Sequence, residues 1–348
     1  MKKEDNIKNE DNIKNEQKLN FQGEIDMKSN TDWFKNAHWG GMMHFLADYA
    51  SSEKQVDLTV AEWNKRVNGF DVKALAEQLN DIKAGYFIIT IGQNSGFYCS
   101  PNKVYDEITG IKPSKCSDRD LVGELAEALS VYNIPLIAYL PSGAPCNDKE
   151  AVKKLEWERG VEISSDGERK RTGKRLAQFQ EKWELIIKEW SLRWKSKVKG
   201  WWIDGCYFAD EMYKHDDEPN FKSFCNALKS GNKNSIVAFN SGLKTPIVSL
   251  TELEDYTAGE VCDNFPTSSS YNEISRWVDG SQYHILTFLG CGWGGGDKPR
   301  FSDEFTAGFT RDVNFREGVV TWDVPFTEKG LIKEKFIYTL KKLSSNDN

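Results

Sequence analysis

The amino-acid sequence predicts a (β/α)8 TIM barrel, an α/β fold in which helices surround a parallel sheet. Eight short apolar segments, rich in β-branched and aromatic residues, are typical of strands buried on both faces. Helical segments lie between most of them, and polar residues follow the strand ends, where barrels carry their functional groups. An open, doubly wound sheet is the alternative, but no glycine-rich nucleotide-binding motif follows any predicted strand.

The predicted strands are short, and each stops at a turn or a polar residue. In chain order they are Trp39–Leu46, Tyr86–Gly92, Ile134–Leu140, Gly200–Asp204, Ser235–Asn240, Asp255–Glu260, His284–Leu289 and Gly318–Val324. The fourth lies in KGWWIDGCYF (199–208), where an apolar run ends at Asp204. A carboxylate at the end of a buried strand costs free energy unless water, a partner or a substrate reaches it. Asp204 is therefore a candidate functional residue.

Four segments have the apolar spacing of amphipathic helices. They are residues 71–84, 118–132, 174–194 and 331–343. The first two begin with Asp, which is a favourable N-cap residue. Between the fifth and sixth strands, Gly242–Glu254 is short and contains a Pro, so the helix there is expected to be irregular or missing.

Composition separates a polar tail, residues 1–30, from a single barrel domain, residues 31–348. Residues 4–15 repeat EDNIKN, and Lys, Asn, Glu and Asp dominate the tail, so we expect a disordered segment or tether. The N-terminus has no apolar signal core. If it is a trimmed end, we expect a periplasmic or extracellular protein.

Charge and residue spacing argue against several classes of protein. A net charge of -7 without a basic stripe disfavours nucleic-acid binding. No run approaches the roughly 18 apolar residues of a membrane span. Seven Cys without a CxxC pair and four His without HExxH indicate neither a disulfide framework nor a metal site, so we expect no cofactor. The oligomeric state is left open.

Polar and aromatic residues follow the predicted strands and are expected to meet at one end of the barrel. They are His44, Gln93, Asn94, Ser95, Ser142, Asp204, Asn240, Glu260, Trp293, Trp322 and Asp323. Two carboxylates, Asp204 and Glu260, indicate metal-free glycosidic cleavage, which needs one to attack the anomeric carbon or activate water and one to protonate the leaving oxygen. We predict Asp204 as the nucleophile and Glu260 as the acid. The rival acids are Asp48, Glu53, Asp210, Glu211 and Asp323.

These segments resemble the α-L-fucosidases of glycoside hydrolase family 29. WFKNAHWGGMMHFL (33–46) is similar to the family's opening strand, and WIDG (202–205) to its WFDG. Further similar segments, in the same order, are residues 70–97, 118–143, 255–260 and 290–295. The resemblance spans about residues 33–343 and covers a catalytic domain alone.

The resemblance implies roles for particular residues. Asp204 matches the family's nucleophile, Glu260 the acid/base of some members, and His44 the sugar-binding His. Trp202 matches the Trp beside the nucleophile, and Trp293 a Trp of the pocket.

Four positions depart from the family pattern. Gln93-Asn94 replaces the paired His, Ser95 replaces the Asp after it, and Gly242 stands where an Arg often follows the fifth strand. Those groups read the fucose hydroxyls in the family, so the departures imply a related or modified sugar.

We therefore predict a retaining exo-glycosidase that acts on an oligosaccharide or polysaccharide. The predicted sugar-binding residues are His44, Gln93, Asn94 and Asn240 for the hydroxyls, with Trp202, Trp293 and Trp322 for the apolar faces. One alternative is a carbohydrate-binding protein without hydrolase activity. Another is a different carbohydrate reaction, such as an elimination with Tyr207 or His44 as the base.

Overall fold

The computed structural model describes residues 28–47, 58–158, 160–163, 169–208, 213–266 and 275–344. Most of the predicted tail lies outside these ranges, as do the rival acids Asp48, Glu53, Asp210 and Glu211. Within the described ranges, no helix combines the length and the hydropathy that a membrane span requires.

Seven of the eleven strands given below form one parallel sheet. With the strands numbered in chain order, their order across the sheet is β10-β11-β1-β2-β3-β6-β7. The strands found among the described residues are β1 (Trp39–Met43), β2 (Phe87–Thr90), β3 (Leu136–Pro141), β4 (Val161–Ile163), β5 (Arg169–Arg171), β6 (Val198–Asp204), β7 (Ile236–Phe239), β8 (Trp277–Val278), β9 (Ser281–Gln282), β10 (His284–Phe288) and β11 (Val319–Asp323). Strands β4–β5 and β8–β9 form two small antiparallel hairpins. The main sheet is a parallel half-barrel, so the complete eight-stranded barrel that the sequence predicts is not formed by regular strands.

The predicted sixth strand, Asp255–Glu260, is the missing member. Its backbone contacts both edges of the sheet: Asp255 N donates to Val237 O at 2.9 Å, and Leu286 N donates to Gly259 O at 2.8 Å. Only isolated bridges form, however, because Gly259 has a φ of +63° and interrupts the extended conformation. A Cβ at Gly259 would lie 1.9 Å from His284 O, so this close approach requires glycine.

Helices cover the outside of the sheet. In the described part of the chain they are α1 (Asp32–Asn36), α2 (Val60–Asn68), α3 (Val72–Asp81), α4 (Lys103–Thr109), α5 (Leu121–Ser130), α6 (Lys149–Leu155), α7 (Ala177–Trp194), α8 (Phe221–Lys229), α9 (Asp303–Phe315) and α10 (Glu334–Lys342). Asp71 caps α3 as predicted, but the cap of α5 is Asp120 rather than Asp118, so this helix begins later than the sequence suggests. Residues 241–254 form turns without a helix, as expected for that connection.

Side chains alternate between two apolar layers, because successive residues of a strand point to opposite faces. The larger layer lies between sheet and helices, and the smaller fills the concave face of the sheet. On β6, Trp202 belongs to the concave layer, whereas Trp201 and Ile203 face the helices. Much of the tryptophan content is core: six side chains are less than 2% exposed, namely Trp63, Trp183, Trp190, Trp194, Trp201 and Trp322.

Candidate active site

The last inward-facing residues of neighbouring strands meet above the concave layer. Asp204 lies two residues after Trp202 and therefore points to the same face. Asn240 lies beside it, because Asn240 N donates to Ile203 O at 2.7 Å across the β6–β7 pair. Glu260 forms an isolated β-bridge with Leu286 of β10, and its side chain reaches Asn240. The structure thus brings together the two carboxylates and the amide that the sequence placed at three strand ends.

Asp204 accepts hydrogen bonds on both carboxylate oxygens. Oδ1 accepts from Asn240 Nδ2 at 2.9 Å, from Gly205 N at 2.7 Å and from Tyr207 OH at 3.3 Å. Oδ2 accepts from Tyr139 OH at 2.5 Å and from Gln93 Nε2 at 3.4 Å. These five hydrogen bonds hold the side chain in one orientation.

Asn240 joins the two carboxylates. Its Oδ1 accepts from Gly242 N at 3.0 Å, so the amide group must turn its Nδ2 toward the carboxylates. Nδ2 donates to Asp204 Oδ1 at 2.9 Å and to Glu260 Oε2 at 2.6 Å. The two oxygens are therefore no farther apart than the sum of these distances, about 5.5 Å.

Glu260 is suited to carry a proton near neutral pH. Burial, followed by the negative charge of Asp204, raises the pKa of Glu260 to about 7. The hydrogen bond from Asn240 acts in the opposite direction but is outweighed. Because Oε2 accepts that hydrogen bond, the proton of the acid form belongs on Oε1.

His44 is paired with the buried carboxylate of Asp323. Its Nδ1 lies 2.8 Å from Asp323 Oδ1, and the carboxylate is 0% exposed. Burial is the largest effect and alone would lower the pKa of His44. The charge and hydrogen bond of Asp323, together with the charges of Asp204 and Glu260, outweigh burial, so the pKa is raised. The pair therefore favours an imidazolium beside the two carboxylates.

The second oxygen of Asp323 holds the glycine-rich loop. Gly294 N donates to Asp323 Oδ2 at 2.5 Å. Trp293 is half-buried and lies 5.5 Å from His44 and 5.2 Å from Phe288, measured between ring centroids. One buried carboxylate thus positions both the His and the Trp that the sequence predicted for the pocket.

Tyr139 and Trp202 form the support beneath Asp204. Their rings stack with centroids 5.3 Å apart, and the Trp202 indole N–H donates to Ala258 O at 3.0 Å. Trp202 is 2% exposed, so it supports the site rather than lining its open face. Burial and the charge of Asp204 raise the pKa of Tyr139 well above its usual value, which keeps its hydroxyl protonated as a donor to Asp204.

Two predicted binding residues, Asn94 and Trp322, make no hydrogen bond to Asp204 or Glu260. Asn94 Oδ1 lies 3.1 Å from Cys146 Sγ. Trp322 points away, because it is adjacent to the inward-facing Asp323 on β11. It is 0% exposed between sheet and helices, where its indole N–H donates to Thr310 Oγ1 at 3.1 Å. The structure does not bring Trp322 to the carboxylates.

Sequence reasoning missed Tyr139 as a site residue; it placed Asp323 at a strand end and among the rival acids but gave it no pairing role. The signal for Tyr139 was its position one residue before the end of an apolar strand, on the inward-facing alternation. No local signal indicates that Asp323 pairs with His44, which lies 279 residues away in the chain. Among the described residues, no group of three or more His, Cys, Asp and Glu side chains has the geometry to hold a metal ion.

No protein-family model matches the sequence, and no curated protein matches it either. Solved structures do share its fold. The endo-fucoidan hydrolase MfFcnA4 from glycoside hydrolase family 107 matches with a TM-score of 0.65 and 15% identity, over 90% of this chain and 53% of that one. This chain therefore spans about half the length of MfFcnA4.

Two further structures are matched over nearly their whole length. The endo-fucoidan hydrolase P5AFcnA from glycoside hydrolase family 107 has a TM-score of 0.63 and 16% identity, over 89% of this chain and 92% of that one. The unliganded α-L-fucosidase AlfC from Lactobacillus casei has a TM-score of 0.58 and 15% identity, over 90% and 96%. At these identities the likeness shows a shared fold.

Proposed function

We propose that this protein is a retaining glycoside hydrolase that removes a terminal α-L-fucosyl or related residue from a glycan. The observation that carries the proposal is the pair of carboxylates that share one amide nitrogen, with oxygens at most about 5.5 Å apart. Retaining glycosidases have carboxyl groups about 5–5.5 Å apart, whereas inverting enzymes need about 6.5–9.5 Å to admit a water. The shared fold with fucosidases and fucoidan hydrolases supports the choice of sugar.

In the proposed mechanism, Asp204 attacks the anomeric carbon while Glu260 donates its proton to the leaving oxygen. The C–O bond to the leaving group breaks, and a bond from Asp204 to the sugar forms. Glu260, now a carboxylate, takes a proton from water, which attacks the same carbon and releases the sugar and free Asp204.

The surrounding residues suit this sequence of events. A pKa of about 7 lets Glu260 act first as an acid and then as a base near neutral pH. Asn240 donates to both carboxylates and so keeps their separation constant while the charge moves from one to the other. With Nδ1 of His44 held by Asp323, its Nε2 is the ring nitrogen that can donate to a sugar hydroxyl.

The test compares wild type with Asp204→Ala on aryl α-L-fucoside and on a panel of fucosylated glycans, with product analysis by NMR at early times. The proposal expects a monosaccharide of retained anomeric configuration from wild type only. Inverted product would contradict retention, and oligosaccharide products would indicate cleavage within the chain. Glycan binding without any product would support the carbohydrate-binding alternative, and equal activity in both proteins would exclude Asp204 as the nucleophile.

A further inference from the structure

A cavity of about 240 Å³ lies at the same end of the sheet as the candidate active site. Its walls come from the connections that follow β2 and β3, which are adjacent parallel strands, and include the first turn of α6. Both connections leave the sheet at the same end as the last residue of β6, which is Asp204. The lining residues are Ser95, Phe97, Lys115, Asn147, Asp148, Lys149 and Glu150.

One loop connects the cavity to the site. Gln93 donates to Asp204 Oδ2 at 3.4 Å, and Ser95 lines the cavity two residues later, a reach of about 7 Å along the chain. Asn94 lies between them, and its carbonyl accepts from Asn147 N at 2.9 Å. This contact ties the two loops together, so the cavity keeps a fixed position relative to Gln93 and the carboxylate that Gln93 contacts.

The lining suits hydroxyl groups. Lys115 Nζ donates to Asp148 Oδ2 at 2.6 Å and lies 5.2 Å from the ring centroid of Phe97. An ammonium group has three N–H donors, so this one can serve the ion pair and a ligand at once. Ser95 adds a hydroxyl to the lining.

The charges of the lining balance. Two cations, Lys115 and Lys149, face two anions, Asp148 and Glu150. A ligand with a negative group would meet the carboxylates as well as the ammonium groups, so the balance favours a neutral ligand with several hydroxyls. The volume is below the range of about 300–1,000 Å³ for drug-sized ligands and suits a single sugar ring.

We propose that this cavity is a subsite for a neutral glycosyl residue next to the sugar that is cleaved. The inference rests on the proposed function and names its substrate class: a glycan with an uncharged sugar beside the scissile bond, in preference to a simple aryl glycoside. Contacts in the subsite act through binding, so they lower KM for the larger substrate.

The test blocks the cavity from its exposed rim. Lys149→Trp places a large ring at the cavity, and Lys153→Trp is the matched control, because Lys153 is exposed on the same helix but does not line the cavity. We expect Lys149→Trp to lower kcat/KM about tenfold for a neutral fucosylated oligosaccharide, through KM, with aryl α-L-fucoside turnover within about twofold of wild type. The control should change neither.

Three results would overturn the subsite. They are equal losses on both substrates, no loss on the oligosaccharide, and a wild-type preference for an oligosaccharide with a carboxylated neighbouring sugar. If wild type cleaves nothing, calorimetry with the same neutral oligosaccharide separates the two proposals. Weaker binding by Lys149→Trp but not by Lys153→Trp would keep the subsite and reject the hydrolase, whereas equal or absent binding would reject the subsite.

Discussion

Replacing Asp204 by Asn should lower the pKa of Glu260, because it removes a negative charge that lies within hydrogen-bond distance of the same amide nitrogen. Two unit charges about 5.5 Å apart interact by about 0.8 kcal/mol in water and about 3 kcal/mol at an effective dielectric constant of 20. At about 1.4 kcal/mol for each pKa unit, this corresponds to about half a unit to two units. Burial is the larger cause of the raised pKa and remains in the variant, so we expect a fall of about one unit.

The assay is a ¹³C NMR titration of protein labelled at the glutamate carboxyl carbons. The resonance of Glu260 is the one that disappears in Glu260→Gln. Glu254 is an internal reference: burial raises its pKa to about 7 as well, and the next largest effects on it are hydrogen bonds rather than the charge of Asp204. The titration of Glu260 should therefore move in Asp204→Asn while that of Glu254 stays in place.

An unchanged pKa of Glu260 would refute the reasoning, since it would mean that the two carboxylates are not close. Equal pKa shifts of Glu260 and Glu254 would indicate a change of fold rather than the loss of one charge.

The pKa of Glu260 also determines how activity depends on pH. The acid form of Glu260 is needed for the first step, so kcat/KM of wild type should fall as the pH rises through about 7.

Asp323→Asn should lower the pKa of His44, because this carboxylate contributes most to raising it against the effect of burial; a ¹⁵N-histidine NMR titration with an unchanged or higher value would contradict this. Trp293→Ala should raise KM for a glycan substrate, whereas Trp322→Phe should leave KM unchanged and lower the unfolding free energy by about 1–3 kcal/mol, from lost packing and a lost hydrogen bond. Steady-state kinetics and urea unfolding measure these effects, and a raised KM in Trp322→Phe would place that ring in the site after all. Lys229 Nζ lies 2.8 Å from Oδ2 of the buried Asp255. Lys229→Met should lower the unfolding free energy by about 3–5 kcal/mol, because it leaves the carboxylate of Asp255 without its cation. A decrease below about 1 kcal/mol in urea unfolding would argue against that pairing.

Several parts of the fold follow from local pattern. Short apolar runs located the seven regular strands to within a few residues, and the Asp before α3 marked its start. The predicted strand at Asp255–Glu260 is not regular because Gly259 has a positive φ and packs closely against the carbonyl of His284. The contact between Gly259 and His284 is a tertiary contact, and local strand propensity does not predict it.

The candidate site likewise has features that the sequence predicts and features that depend on tertiary contacts. The sequence by itself determined that carboxylates stand at the ends of apolar strands, since strand period and burial are properties of consecutive residues. Only the tertiary structure decided that Trp322 faces the helices, that Tyr139 supports Asp204, and that Asp323 pairs with His44. The alternation states that neighbouring residues face opposite ways, but which face is concave, and which distant strand lies alongside, depends on the packing of the whole sheet.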